Sequence, residues 1–149
     1  MEDKTYFGIH NHTEYSNARL LDAINKVEDL IKYAHDIGLS GIAITDHETL
    51  SAHVRALKYY NSMKAKDPEW ANFKLALGNE IYLCRNDMDG ENFIPKVDKF
   101  PHFILVAKDA EGHKQLRELS TRAWSHSFNW FMTRVPTYYK DIEEIIGIS

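Results

Sequence analysis

The chain has 149 residues, a size that suits one domain able to bury its own core. Hydrophobic residues make up 44% and charged residues 27%, the balance of a folded globular protein, which excludes a disordered or low-complexity chain. The net charge of -4 gives no global attraction to nucleic acid, and the single cysteine, Cys84, excludes an internal disulfide and a cysteine-rich zinc site, so any metal must be held by histidine and carboxylate.

In chain order, Thr5 to His10 is a short β-branched and aromatic run that predicts a strand, and the polar segment Asn11 to Arg19 predicts a loop. Val27, Leu30, Ile31, Ala34 and Ile37 recur at spacings of three and four, which predicts an amphipathic helix over Lys26 to Ile37, stopped by Gly38. The compact apolar run Gly41 to Thr45 suits a strand buried on both faces, with Asp46 and His47 at its end. A second helix is expected from Leu50 to about Lys66, with Val54, Leu57 and Tyr60 or Asn61 facing inward and Pro68 closing it. Lys74 to Leu83 returns to strand character and carries Glu80, and the polar stretch Arg85 to Lys99 predicts turns and a surface loop. Phe103 to Ala107, preceded by His102, is the next buried strand, and a helix follows from about Ala110 to Trp124 with Leu116, Leu119 and Ala123 inward. Near the end, Ile142, Ile145, Ile146 and Ile148 form an apolar helical face with no evident cap, so the chain is expected to be part of a larger fold.

This alternation argues for an α/β fold, mostly parallel strands with outer helices, in which sites form at strand ends. No stretch approaches ~20 uninterrupted apolar residues, and the opening MEDKTYFGIH lacks the apolar segment of a secretory signal. A cytoplasmic protein with no membrane partner is the expectation.

The chemistry concentrates at strand ends. His10 and His12 are two apart on extended backbone and point to one face, so both imidazoles can reach one metal. His47 ends the second strand, Glu80 lies in the third, His102 begins the fourth, and Asp22 is a further carboxylate within reach from the loop. Imidazole and carboxylate suit zinc, manganese or iron, and two or three such ions would form a hydrolytic centre for phosphoesters. Glu80 in an apolar strand is either a ligand or a charge at a sheet edge; the cost of burying an unpaired carboxylate favours a metal or histidine partner. Asp46 is open between two roles, orienting a ligand imidazole or capping the following helix.

The segments GIHNHTEYSNARLLDA, IAITDHETL, LGNEIYL and HFILVAKDAEGHKQLRELS resemble, in order and spacing, the successive motifs of the PHP family in its DNA polymerase III alpha version. The resemblance implies a portion of a distorted (β/α) barrel, with metal ligands at His10, His12, Asp22, His47, Glu80 and His102 and a catalytic set of His10, His12, His47 and Glu80. It implies more than one divalent ion in a complete domain and, in some polymerases, a 3'-5' proofreading exonuclease. It also implies that residues 1–149 are the N-terminal portion of a PHP domain from a larger polymerase, reaching DNA through that parent and able to meet proofreading or other replisome subunits. The later ligands of the family pattern have no counterpart here, so a centre holding fewer metals and little turnover by this chain are expected. Two other readings stay open: an inert, metal-stabilised docking module, and a stand-alone phosphatase resembling histidinol-phosphate phosphatase, against which the AKDAEGHKQLRELS segment argues.

His35, His53, His113 and His126 fall on predicted helices, where solvated surface is the ordinary reading, and Cys84 reads as a small buried hydrophobe. Lys114, Arg117, Arg122 and Arg134 interleave with Trp124, Phe128, Trp130 and Phe131, either as a nucleic-acid surface or as residues packed against a further part of the protein.

Overall fold

A computed structural model of the chain describes residues 6–18, 21, 23–130 and 135–147. Its strands are β1 (Phe7–Gly8), β2 (Gly41–Ile44), β3 (Lys74–Cys84), β4 (His102–Val106) and β5 (Pro136–Tyr138), and its helices are α1 (Val27–Asp36), α2 (His53–Lys66), α3 (Ala110–His126) and α4 (Tyr139–Ile146). The sheet runs β1-β2-β3-β4, with β5 also paired to β3. Three of the four pairings are parallel and only β3 with β4 is antiparallel, so the mostly parallel α/β class is observed. The strand expected over Thr5 to His10 is shorter than the apolar run, because its pairing with β2 is limited to Phe7 opposite Gly41 and Gly8 opposite Ile42. β5 was not expected: its three residues are too few to carry a period-two pattern.

The long strand β3 changes partners along its length. Lys74 to Leu77 pair with β2, Gly78 to Tyr82 with β4, and Tyr82 to Cys84 with β5. Three hydrophobic clusters follow that order. Val27, Ile31 and Ala34 of α1 pack with Ile42 and Ile44 of β2, Ala56 of α2, Trp70 and Phe73. Ile81 and Leu105 pack with Leu116 and Leu119 of α3 and Ile142 of α4. Cys84, Met88, Trp130 and Tyr138 form the third, and burial there pushes the Cys84 thiol up to about 12, the inert hydrophobe expected.

Several sequence expectations are corrected. The inner stripe of α2 is His53 and Ala56, with Tyr59, Tyr60 and Met63 partly buried, whereas Val54 and Leu57 are exposed. Ala56 packs into the first cluster with Ile42, Ile44 and α1, and with His53 buried on the same face Val54 and Leu57 are turned outward. Ile37 is likewise exposed, lying past the end of α1 where Gly38, at φ 79°, reverses the chain. The helix α4 does have a cap: Gly147 adopts φ 76° and its N–H donates to the Glu143 carbonyl. Trp130 is buried inside this chain, and Arg122 is tied to Glu118, Asp141 and Glu144, so neither serves as a free nucleic-acid surface. Phe131, Arg134 and the Phe128 side chain lie outside the described residues.

His53 corrects the surface reading most sharply, being only 2% exposed. Its Nε2 lies 3.0 Å from the Gly78 carbonyl, which can only accept, so Nε2 carries the proton and Nδ1 accepts from His113 Nε2 at 3.0 Å. His113 Nδ1 in turn accepts from Arg117 at 3.0 Å. This chain of neutral rings joins β3, α2 and α3. His35 stacks on Trp70 and His126 pairs with Asp141, so these two are also held rather than freely solvated.

Burial and the neighbouring His113 lower the His53 pKa to about 4, from an ordinary value of 6.5. Between these values the unfolded chain binds a proton that the folded chain excludes, so stability is fully present above pH 6.5 and is lost as pH falls toward 4. The difference corresponds to at most about 3 kcal/mol. Urea unfolding of the wild type should therefore weaken more steeply between pH 6.5 and 4 than that of His53→Gln, and parallel pH profiles would show that His53 is not the group responsible.

Candidate metal centre

The backbone brings His47 and Glu80 together directly. Beyond β2 the ladder continues as one parallel bridge, His47 opposite Glu80, with Glu80 N–H donating to the Asp46 carbonyl and Glu48 N–H donating to the Glu80 carbonyl. His102 arrives from the other side of β3. Because β4 is antiparallel, its first residue lies opposite Tyr82, at the same end of the sheet as the carboxyl end of β2.

His10 and His12 lie beyond β1 and are fixed by the residue between them. The Asn11 side-chain amide donates to the carbonyls of Gly8 and Ala43, at 3.0 and 3.1 Å. Its backbone N–H donates to Thr45 Oγ1, and its carbonyl accepts from Thr45 N–H, each at 2.9 Å. Asn11 thus replaces the ladder where β1 parts from β2, and both flanking imidazoles are turned the same way.

Four imidazoles converge on one carboxylate. Glu80 Oε2 lies 3.0 Å from His10 Nε2, 3.0 Å from His12 Nε2 and 3.2 Å from His47 Nδ1, and Oε1 lies 2.5 Å from His102 Nδ1. Glu80 is 1% and His47 4% exposed, whereas the His10 and His102 side chains are about half exposed, at 51% and 47%. The floor of the cluster is therefore dry and its mouth open. His12 and His47 stack at 4.3 Å, and Tyr82 stacks parallel to His47 and edge-on to His102, which restricts the rotation of the rings.

Burial would raise the Glu80 pKa, but hydrogen bonds from His10 and His102 and the charge of His47 outweigh it and hold the carboxyl below its ordinary value. Behind the ligand face stands Asp46, fully buried, its two oxygens accepting from Thr13 N–H at 2.6 Å, Thr13 Oγ1 at 2.8 Å and Ser16 Oγ at 2.7 Å. Burial nevertheless raises the Asp46 pKa, the dominant effect over those hydrogen bonds. Ser16 gives its one proton to Asp46, so toward His12 Nδ1, at 3.1 Å, it must accept. That places the His12 proton on Nδ1 and turns the lone pair of Nε2 toward Glu80.

Two lone pairs, on His12 Nε2 and Glu80 Oε2, then face each other at 3.0 Å, a contact that needs a cation or a proton between them. His10 Nε2 and His12 Nε2 also stand 2.9 Å apart. The residues thus fit a divalent ion of the kind bound by nitrogen and carboxylate oxygen. Among the described residues two groups that could hold an ion share Glu80: His10, His12 and Glu80, and His47, Glu80 and His102. Asp22, the sixth expected ligand, lies outside the described residues.

Of the two readings of Asp46, the structure favours the orienting one, since its oxygens hold the Thr13 to Ser16 turn behind His12 and Ala52, six residues on, stands at the α2 N-terminus. Asn11, Thr13 and Ser16 were missed in sequence. Their one available signal is position: small polar residues interleaved with the histidines directly after an apolar strand.

This chain belongs to the PHP domain family, whose model matches residues 8–149. It is 48% identical over 142 residues to a DNA-directed DNA polymerase of Bacillus phage SPbeta, covering 94% of this chain and 11% of that protein. It is 34% identical over 131 residues to DNA polymerase III subunit alpha of Helicobacter pylori (strain ATCC 700392 / 26695), covering 87% of this chain and 10% of that one. The chain therefore spans about a tenth of the length of these polymerase relatives. Among solved structures it resembles one from Bifidobacterium adolescentis described as a "putative metal-dependent phosphoesterase", with a TM-score of 0.50 and 19% identity, covering 82% of this chain and 35% of that one; this likeness concerns the fold.

Replacing Asp46 by alanine leaves the Thr13 amide and two hydroxyls without their acceptor in a buried setting. A loss on the order of 3 kcal/mol in urea unfolding is expected. A loss under about 0.5 kcal/mol, the ordinary range of a surface change, would remove Asp46 from this supporting role.

Proposed function

We propose that this chain is the N-terminal part of a metal-dependent phosphoesterase module carried by a DNA polymerase III alpha-type polymerase, acting on phosphodiester bonds at the 3' end of DNA. The observation that carries the reading is the convergence of four imidazoles on the buried Glu80 carboxylate. The identity to polymerases over most of the chain supports the polymerase setting over a stand-alone phosphatase. Among the described residues no helix is long and apolar enough to cross a membrane. In this reading DNA and replisome contacts are made through the parent polymerase, in the cytoplasm.

His10, His12, His47, Glu80 and His102 would hold the metal, with Asp22 as a further ligand. Bound zinc, manganese or iron would supply Lewis acidity, activating water as a nucleophile and drawing charge from the phosphoryl oxygens. Glu80, shared by both ligand groups, provides the negative charge that favours cations at the rim. His12 is held in the Nδ1-protonated form by Ser16 and Asp46, which leaves its Nε2 ready to ligate. The half-exposed His10 and His102 form the open side through which a strand end can approach. Buried His47 fixes the floor and keeps bulk water from it.

Elemental analysis after reconstitution with zinc, manganese or iron tests this directly. The wild type should retain metal, and a His10→Ala/His12→Ala double variant should lose most of it while remaining folded by circular dichroism. Equal metal content in both proteins would refute the assignment.

A further inference from the structure

Glu48 follows His47, is fully buried, and has its backbone at φ 49°, a left-handed conformation that residues with a Cβ rarely hold. It belongs to neither ligand group found among the described residues. What it does instead is join the strands that carry the ligands. Its N–H donates to the Glu80 carbonyl at 2.9 Å, just past the His47–Glu80 bridge where the β2 ladder ends. Two residues further along β3, pairing with β5 begins at Tyr82 opposite Pro136.

The Glu48 carboxylate fills the gap between those two ladders. Oε1 accepts from the Tyr82 N–H at 2.6 Å and from Thr137 Oγ1 of β5 at 3.1 Å, and the Glu48 carbonyl accepts from Trp124 Nε1 of α3 at 2.7 Å. One residue therefore ties together β3, β5 and α3 beside the cluster. The atoms it holds touch three of the donors: His47 through the peptide bond, Glu80 through its carbonyl, and His102 through Tyr82, whose ring lies edge-on to it at 4.7 Å.

We infer that Glu48 is a positioning residue of the metal centre: its side chain fixes Tyr82 of β3 against β5, and with its backbone N–H on the Glu80 carbonyl this keeps the strands in the register that lets the donors converge. The inference rests on the metal-centre reading proposed above. Glycine would adopt φ 49° more easily. A glutamate at this position, with its carboxylate hydrogen-bonded across the junction, is explained by what the side chain holds.

The test is cobalt(II) titration followed by visible d–d absorption, with circular dichroism of the metal-free proteins alongside. Glu48→Gly keeps the backbone conformation and deletes the clamp. Glu48→Gln can still accept from the Tyr82 N–H and can donate its amide to Thr137 Oγ1. Glu48→Gly should weaken cobalt binding by roughly 10- to 100-fold and alter the d–d band, whereas Glu48→Gln should restore both to near wild type. Should Glu48→Gly fail to fold, Glu48→Asp, which keeps the charge but withdraws the carboxylate by one methylene, should show the same weakening in a folded protein. Wild-type affinity and an unchanged band in Glu48→Gly, or in Glu48→Asp if that is the variant that folds, would overturn the role of Glu48 alone. A wild type that takes up no cobalt would fail the metal reading and this inference with it.

Discussion

A carboxylate buried in the middle of the longest strand governs this molecule. Glu80 is 1% exposed, and an ionised carboxylate in such a place costs several kcal/mol unless positive charge or hydrogen-bond donors meet it. The chain meets that demand with imidazoles from three directions: His10 and His12 from the segment after β1, His47 from the end of β2, and His102 from the start of β4. Neutral imidazoles satisfy it only partly, since the Ser16 hydrogen bond turns the His12 lone pair toward Glu80. With that ring neutral, the contact calls for a proton or a cation between His12 Nε2 and Glu80 Oε2, and His10 Nε2, 2.9 Å from His12 Nε2, stands beside it.

Holding that arrangement is the work of β3. Its successive pairings with β2, β4 and β5 place Glu80 where the β2 ladder ends and antiparallel β4 is still paired, so imidazoles from both neighbours reach the same end of the sheet. At such a transition the backbone would be left without ladder partners, and side chains take their place: Asn11 between β1 and β2, Glu48 between β2 and β5. The hydrophobic clusters on either side are dry and aliphatic or aromatic, so these polar substitutes work in a low-dielectric setting where their hydrogen bonds fix position firmly.

The same economy of polar groups appears away from the Glu80 cluster. His53, Gly78 and His113 join α2, β3 and α3 through neutral rings, so a helix that presents the small Ala56 to the sheet is anchored by directional bonds beside limited apolar area. This makes a part of the fold sensitive to acid for a reason unrelated to the Glu80 cluster.

The sequence by itself determined the α/β class, most element positions and the placing of His10, His12, His47, Glu80 and His102 in or beside strands, because each of these is a local property: compact apolar runs, period-3.6 patterning, and histidines at the ends of those runs. Leu116, Leu119 and Ala123 are inward on α3 as their spacing requires. Only the tertiary structure decided the antiparallel direction of β4, the existence of β5, and the rotation of α2 that buries His53 and exposes Val54 and Leu57. It also decided that Asp46 reaches His12 through Ser16 and that Glu48 spans to Thr137, contacts separated by 30 and 89 positions along the chain. Such pairings depend on which buried polar atoms meet once the strands are in register. No local pattern encodes that, because a hydroxyl or a carboxylate carries the same sequence signal whether water or a distant backbone amide is its partner.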